Sequence, residues 1–389
     1  MRIGLPRDTY AEKRCVRINS DHEYVNCRLI DKVLYLRAAS KLLKFNMSDC
    51  IFQPLLGNGI DIYHSFNNVC ITSKKWLVTY ETLVPRVEES NFRKYDDVGD
   101  CFFIKSPRIE KYLKYLERDN CLSLNALSTS NHNMQKLLLD DYPQYKSNIL
   151  EKMKVVHPPQ ELFTYASNSN ESLSKPAMLK FIFVGRDFYR KGGAEIVLAF
   201  QELLDEGSID IDSVHVTLVG DYKRFFNEVF YQRQDDIEFH NKIINIAASS
   251  KLFSLNESLP NSTVLEMIKD SHVGLLPTWR DTYGYSVLEF QSMGCPVISS
   301  NIRALPEINN NECGWIFDAG VNNLGEIYIV DENDKSRKRR KIIDGIKNSV
   351  REILRRPEDI YIKRSLSINK ISVEHDPQDY INKIQSIIL

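Results

Sequence analysis

Short apolar runs alternate with longer stretches of helical period along most of this chain. MLKFIFVGR (178–186) is a continuous apolar run ending in Gly-Arg, the pattern of a strand buried on both faces. GAEIVLAFQELLDEG (193–207) follows, with Ile196, Val197, Phe200, Leu203 and Leu204 at helical spacing and Gly207 where a C-cap glycine belongs. VHVTLVGD (214–221) predicts the next strand, NSTVLEMIKDS (261–271) a helix and HVGLLPT (272–278) a strand. SVLEFQSMG (286–294) then reads as a helix and CPVISS (295–300) as a strand. Strand–helix–strand alternation with short loops predicts a parallel sheet covered by helices on both faces.

The first half follows the same pattern less regularly. MRIGLP (1–6), IDIYHSF (60–66) and KWLVTYET (75–82) read as strands, and DKVLYLRAASKLL (31–43) as a helix. CLSLNALSTSNHNMQKLLLDDYP (121–143) reads as strand, turn and helix, and KMKVVHPP (152–159) as a strand ended by two prolines. Ser128 and Ser130 fall where helix caps belong. DPQDYINKIQSIIL (376–389) predicts an amphipathic helix. Between the halves, YASNSNESLSK (165–175) is almost free of apolar residues and reads as a linker. The expectation is an α/β chain of two domains, 1–165 and 176–375, which suits 389 residues better than one core does.

Composition narrows the function. Hydrophobic residues make up 43% of the chain and charged residues 26%, with a formal net charge of −1. Such a balance carries no global signature of a nucleic-acid partner. The eight cysteines are scattered with no C-x-x-C pair, which argues against a zinc site or a disulfide scaffold. The opening MRIGLPRDTY lacks the apolar region of a signal peptide, and no run approaches 18 apolar residues. A cytoplasmic protein is the expectation, with the inner membrane face as a further setting. KSRKRRK (335–341) reads either as a solvated helix face or as a peripheral contact with anionic lipid. Asp210 and Asp212 spell D-x-D, a common chance pattern, and no metal site is expected.

Two strand-to-helix junctions carry candidate chemistry, since ligands of open α/β sheets collect at such places. The first is GRDFYRKGG (185–193), where a cationic loop meets two glycines that open a helix. Arg186 can grip a phosphate with two hydrogen bonds and Lys191 adds a point charge. With the helix N-terminus they would neutralise a diphosphate without a metal. The second is PTWRDTYGYSVLE (277–289). Asp281 and Glu289 are acceptors suited to sugar hydroxyls. Tyr283, Gly284, Tyr285 and Ser286 would present backbone N–H groups at the helix start.

Residues 178–318 resemble the C-terminal domain of the retaining glycosyltransferases of family 4, glycosyl transferases group 1, which include bacterial enzymes of polysaccharide synthesis. The likeness rests on VGRDFYRKGG (184–193), the Asp281/Glu289 carboxylate pair, MGCPVISSNIRALPEI (293–308) and NECGWIF (311–317), in that order. It implies the GT-B architecture, two Rossmann-like domains facing across a cleft, with the final helix 376–389 packing back on the first. It implies a hexosyltransferase that needs no cofactor or metal. The enzyme would move a hexose from a UDP- or GDP-sugar to a glycan or lipid-linked saccharide in surface polysaccharide biosynthesis, with retention. Arg186 and Lys191 would hold the donor diphosphate, Glu289 the ribose, and Asp281 the donor sugar, where the family usually carries Glu. In the first domain, Glu81 stands where the family often has a histidine facing the sugar, and His64 is a second candidate. Arg7 and Lys13 replace the family's glycine-rich loop as candidates for the donor phosphates. Two alternatives stand beside this reading: a catalytically inactive nucleotide-sugar-binding partner subunit, and a nucleotide-sugar epimerase of the same fold.

Overall fold

The computed structural model describes residues 1–17, 19, 21–42, 51–55, 59–86, 93–163 and 176–389. The linker expected at 165–175 lies outside the described residues. The chain divides into two compact units, Met1–Pro159 with His375–Leu389, and Gln160–Glu374.

The main sheet of the first unit has six strands: β1 (Arg2–Leu5), β2 (Glu23–Asn26), β3 (Ile62–Phe66), β4 (Trp76–Tyr80), β5 (Cys121–Ala126) and β6 (Met153–Val155). They run parallel in the order β6-β5-β4-β3-β1-β2. The central β3 and β4 are buried at every position, which is why they show no apolar–polar alternation, and their buried polar residues His64 and Thr79 pair with each other. Helix α1 (Thr129–Asp140) follows β5, and Ser128 caps it by accepting the Asn131 N–H at 3.1 Å. In the helix Pro107–Leu116, the stripe Ile109, Tyr112, Leu113 and Leu116 is buried, so it is core packing and not an exposed apolar patch.

The C-terminal helix Pro377–Ile388 belongs to this unit. Asp376 caps it by accepting the Asp379 N–H at 2.7 Å. Its buried face carries Tyr380, Ile384 and Ile388, and the Tyr380 hydroxyl donates to the Cys15 carbonyl.

The sheet of the second unit holds β7 (Leu179–Val184), β8 (Val214–Val219), β9 (Phe253–Asn256), β10 (Val273–Leu276), β11 (Val297–Ser300) and β12 (Trp315–Phe317). All pair in parallel, in the order β9-β8-β7-β10-β11-β12. Numbered within the unit this is 3-2-1-4-5-6, the doubly wound dinucleotide-binding order. The order reverses between β7 and β10, where Phe181 pairs with Val216 on one side and Val273 on the other. Ligands of such sheets bind beyond the strand ends at this reversal.

Helices α2 (Gly193–Asp205) and α3 (Tyr285–Ser292) begin at that edge, and the 24-residue α4 (Glu332–Arg355) packs along α2. The basic run 335–341 lies on α4. Lys335 pairs with Asp235 (3.4 Å), Arg337 and Lys338 with Asp334 (2.6 and 3.1 Å), Arg339 with Glu195 (3.0 Å) and Arg340 with Glu202 (2.7 Å). Lys341 pairs with Asp318. Every cation of the run thus meets a carboxylate of its own unit, while Arg337, Arg340 and Lys341 remain exposed. Asp210 and Asp212 form a local turn, the Asp212 N–H donating to Asp210 Oδ1 at 3.1 Å. Among the described residues, no helix is long and apolar enough to cross a membrane.

Candidate functional site

Two loops meet at the reversal point of the second sheet. After β7 the chain turns tightly: the Lys191 N–H donates to the Asp187 carbonyl and the Gly193 N–H to the Phe188 carbonyl, both at 2.9 Å. Phe188 is buried beneath, edge-on to Phe183 at 5.5 Å. After β10 the chain runs Thr278-Trp279-Arg280-Asp281 against this turn. The Trp279 N–H donates to the Arg190 carbonyl at 2.9 Å. Arg190 Nη1 donates back to the Arg280 carbonyl at 2.8 Å, and Thr278 Oγ1 donates to the same oxygen at 2.8 Å. Arg190 also pairs with Asp187. These contacts fix the loops to one another.

Across this seam the Lys191 ammonium and the Asp281 carboxylate form an ion pair. Asp281 is only 8% exposed. Burial alone would raise its carboxyl, but Lys191, Arg190 and the Thr282 N–H more than offset that and leave it below its usual range. Asp281 is therefore ionised at neutral pH. Its contribution to stability is present above the ordinary aspartate range and lost as pH falls through the lowered value.

The two helices that start here both begin at a glycine in the left-handed region. Helices beginning at Ser128, Asp236, Asp331 and Asp376 are capped by those side chains. Helices α2 and α3 begin instead at Gly192 and Gly284, with φ 90° and 94° and no side-chain cap. A glycine N-cap supplies no side-chain acceptor of its own, and each helix directs the positive end of its dipole toward this edge. Two such ends flanking a Lys–Asp pair make a place for an anionic group next to a hydroxyl-bearing one.

The predicted residues of this unit fall on these junctions. Arg186 is exposed just beyond β7, and its side chain pairs with no described residue. Glu289 is half-buried, the fifth residue of α3. Tyr285 and Ser286 are half-buried in the first turn. The Tyr283 ring is fully buried, tilted 5.3 Å from Tyr285, so its side chain is packing and only its main chain can serve a ligand. Sequence reasoning missed Arg190 and Trp279, the residues that tie the loops together. Only the Asp187/Arg190 spacing hinted at the former.

In the first unit, Glu81 lies just beyond the end of β4. Its carboxylate is 3.4 Å from Arg86, its N–H donates to Asn67 Oδ1 at 3.0 Å, and its carbonyl accepts from Asn131 Nδ2. His64 is placed differently. It is the third residue of β3, 1% exposed, in register with Leu77, four residues before Glu81 and so roughly 13 Å back along the sheet. The structure does not bring these two together. His64 Nε2 lies 2.9 Å from Thr79 Oγ1, Nδ1 has no hydrogen-bond partner among the described residues, and the residue lines a small cavity with Ile3, Val16, Asn19, Tyr24 and Ile384. Arg7 and Lys13 lie on the segment after β1, Lys13 in the helix Tyr10–Cys15.

Burial lowers the His64 imidazole from 6.5 to about 3. Between those values the unfolded chain holds the extra proton, so stability falls as pH drops below about 6.5, by up to about 1.4 kcal/mol per unit. His64→Gln removes that slope. In urea melts at pH 7 and pH 5, the wild-type chain is expected to lose about 2 kcal/mol more than the variant. Equal losses would show that His64 already exchanges protons with solvent.

Comparison with known proteins bears on both units. Residues 166–348 match the family model described as Glycosyl transferases group 1. No curated protein matches the chain. Among solved structures, a glycosyltransferase from Rickettsia africae ESF-5 superposes with a TM-score of 0.57 at 16% identity, covering 100% of this chain and 89% of that one. HepE from Anabaena, in complex with UDP and glucose, gives 0.54 at 11% identity, covering 99% and 90%. A sucrose-phosphate synthase from Thermosynechococcus elongatus gives 0.53 at 15% identity, covering 85% and 73%. At such identities the likeness is one of fold. The architecture is that of GT-B glycosyltransferase structures, two Rossmann-like parallel-sheet units, and the second unit carries the match to the glycosyl transferases group 1 model.

Proposed function

We propose that this chain transfers a hexose from a nucleotide-diphosphate sugar to a saccharide acceptor. The observation that carries the reading is the Lys191–Asp281 pair at the sheet's reversal point, flanked by two glycine-started, side-chain-uncapped helices. The group 1 match over residues 166–348 supports it, as does the fold shared with HepE, whose structure holds UDP and glucose.

In this reading Arg186, Lys191 and the N–H groups at the start of α2 neutralise the donor diphosphate as it leaves. Asp281 accepts hydroxyls of the donor sugar and sets its position against the phosphate held by Lys191. Glu289 accepts the ribose hydroxyls. The bond from the anomeric carbon to the phosphate oxygen breaks, the acceptor oxygen bonds to that carbon on the same face, and the departing phosphate oxygen takes the acceptor proton. Configuration is thereby retained. The cations on these loops carry the charge compensation, so a chelator is expected to leave turnover unchanged. UDP or GDP is the proposed carrier, and a glycan or lipid-linked saccharide of surface polysaccharide synthesis the proposed acceptor.

A thermal-shift screen against UDP-, GDP-, dTDP- and ADP-sugars tests the binding half of this reading. A donor at 100 times its dissociation constant adds about 2.7 kcal/mol to the native state. One nucleotide class is expected to raise the melting temperature, and Glu289→Ala to abolish most of that rise while leaving the unliganded melt within about 1 kcal/mol. No shift with any donor would contradict the reading, whereas a shift without turnover would favour the inactive nucleotide-sugar-binding subunit.

A further inference from the structure

Arg339 points inward, as Lys335 of the same run does, but of the two it is Arg339 that reaches both Glu195 and Trp279. Its side chain is 14% exposed. Nε donates to Glu195 Oε1 at 3.0 Å and Nη2 to Asp235 Oδ2 at 2.5 Å. The guanidinium lies over Phe239 at 4.3 Å, with Phe230 at 5.4 Å and Trp279 at 5.9 Å. Phe230 meets Trp279 edge-on at 4.8 Å. Trp279 is the residue whose N–H ties the Asp281 loop to Arg190. Lys335 shares Asp235 at 3.4 Å. The buried cluster thus holds two cations and two carboxylates.

Glu195 is the odd member. It is the third residue of α2 and 1% exposed, so its charge sits one turn or less from the helix start that the proposed function assigns to the diphosphate. A first-turn carboxylate ordinarily stabilises a helix through the dipole. At an anion-binding helix start the same carboxylate opposes the ligand, and inside a protein that opposition is weakly screened. Burial pushes the Glu195 carboxyl up, against the pull of Arg339 and of the Trp279 indole beside it. The indole N–H falls outside hydrogen-bonding geometry there.

We infer that Arg339 is a positioning residue for the donor: it cancels the charge of Glu195 behind the start of α2 and packs Trp279, so that the Lys191–Asp281 seam presents net positive potential to a diphosphate. This rests on the nucleotide-sugar reading above. Removing the Arg339 charge would leave the cluster net negative. Removing the Glu195 charge as well would restore neutrality.

The test is equilibrium binding of UDP and GDP, and of uridine and guanosine, to the full chain, with each variant's melt recorded. Arg339→Gln is expected to weaken the bound diphosphate at least tenfold while changing affinity for its nucleoside less than twofold. Arg339→Gln with Glu195→Gln is expected to recover most of the loss, Arg339→Lys to lose little, and Glu195→Gln alone to bind the diphosphate at least as tightly as wild type. The double variant also guards against a fold too unstable to read. Parallel losses of diphosphate and nucleoside, no loss at all, or no recovery in a folded double variant would overturn the inference and leave the glycosyl-transfer reading standing. Wild-type protein that binds neither diphosphate would overturn both.

Discussion

Lys191→Met is expected to cost about 3 kcal/mol of stability and to abolish measurable sugar transfer. The reason is the partner it abandons. Asp281 is 8% exposed, and truncating one member of a buried pair leaves an uncompensated charge, which typically costs about 3–5 kcal/mol. The low end applies because the Lys191 and Asp281 side chains retain 16% and 10% exposure. The Asp281 carboxyl, held low by Lys191, would move upward in this variant, and the acid side of the stability curve would shift toward neutral pH. Adding Asp281→Asn removes the stranded charge and is expected to restore most of the stability. It is not expected to restore turnover, because the diphosphate still lacks its cation; loss of one such group costs about 10²–10³ in rate. Calorimetry and a turnover assay on the two variants separate these roles. If the double variant regained activity along with stability, Lys191 would be only a structural partner of Asp281.

Gly192→Ala is expected to be the most damaging small substitution in the second unit. Gly192 has φ 90°, a conformation that costs an ordinary residue about 1–3 kcal/mol. A Cβ there would also collide with the backbone carbonyl of Pro277, which cannot rotate away. The collision pushes apart the two loops whose contact places Asp281 against Lys191. We expect a loss above about 3 kcal/mol and loss of donor binding. Gly207→Ala is the control. It has φ 69° but open space around the added carbon, so only the conformational cost of about 1 kcal/mol applies. Equal melting temperatures for the two variants would show that the loops do not approach as closely as described.

Much of this architecture can be read from the sequence because parallel strands announce themselves. β7, β8, β10 and β11 are apolar runs with turn residues at their ends, and each coincides with an observed strand to within a residue or two. β9 escapes because Phe253–Asn256 is short and mostly half-buried, with too little apolar character to stand out. Periodicity also says nothing of strand order. The reversal between β7 and β10, which brings Lys191 beside a residue ninety positions away, is a property of the sheet and not of either loop.

The basic run shows the same blindness to tertiary charge. Its cations look free in sequence because Glu195, Glu202, Asp235 and Asp318, which neutralise most of them, lie far along the chain. His64 illustrates the reverse case. Its strand was legible, but the depth at which it lies within β3 was not, and that depth makes it a neutral core imidazole.

The central claim is that the Lys191–Asp281 seam turns over a nucleotide-diphosphate sugar. The most direct measurement is release of nucleoside diphosphate from UDP- and GDP-sugars by the purified full chain, with and without a mixed saccharide acceptor, beside the charge-free Lys191→Met/Asp281→Asn variant. The account predicts release by the wild-type protein from one donor class, stimulated by acceptor, indifferent to chelator, and reduced at least a hundredfold in the folded variant. Equal release by wild type and variant, or release by neither while the wild-type chain binds the donor, would contradict it.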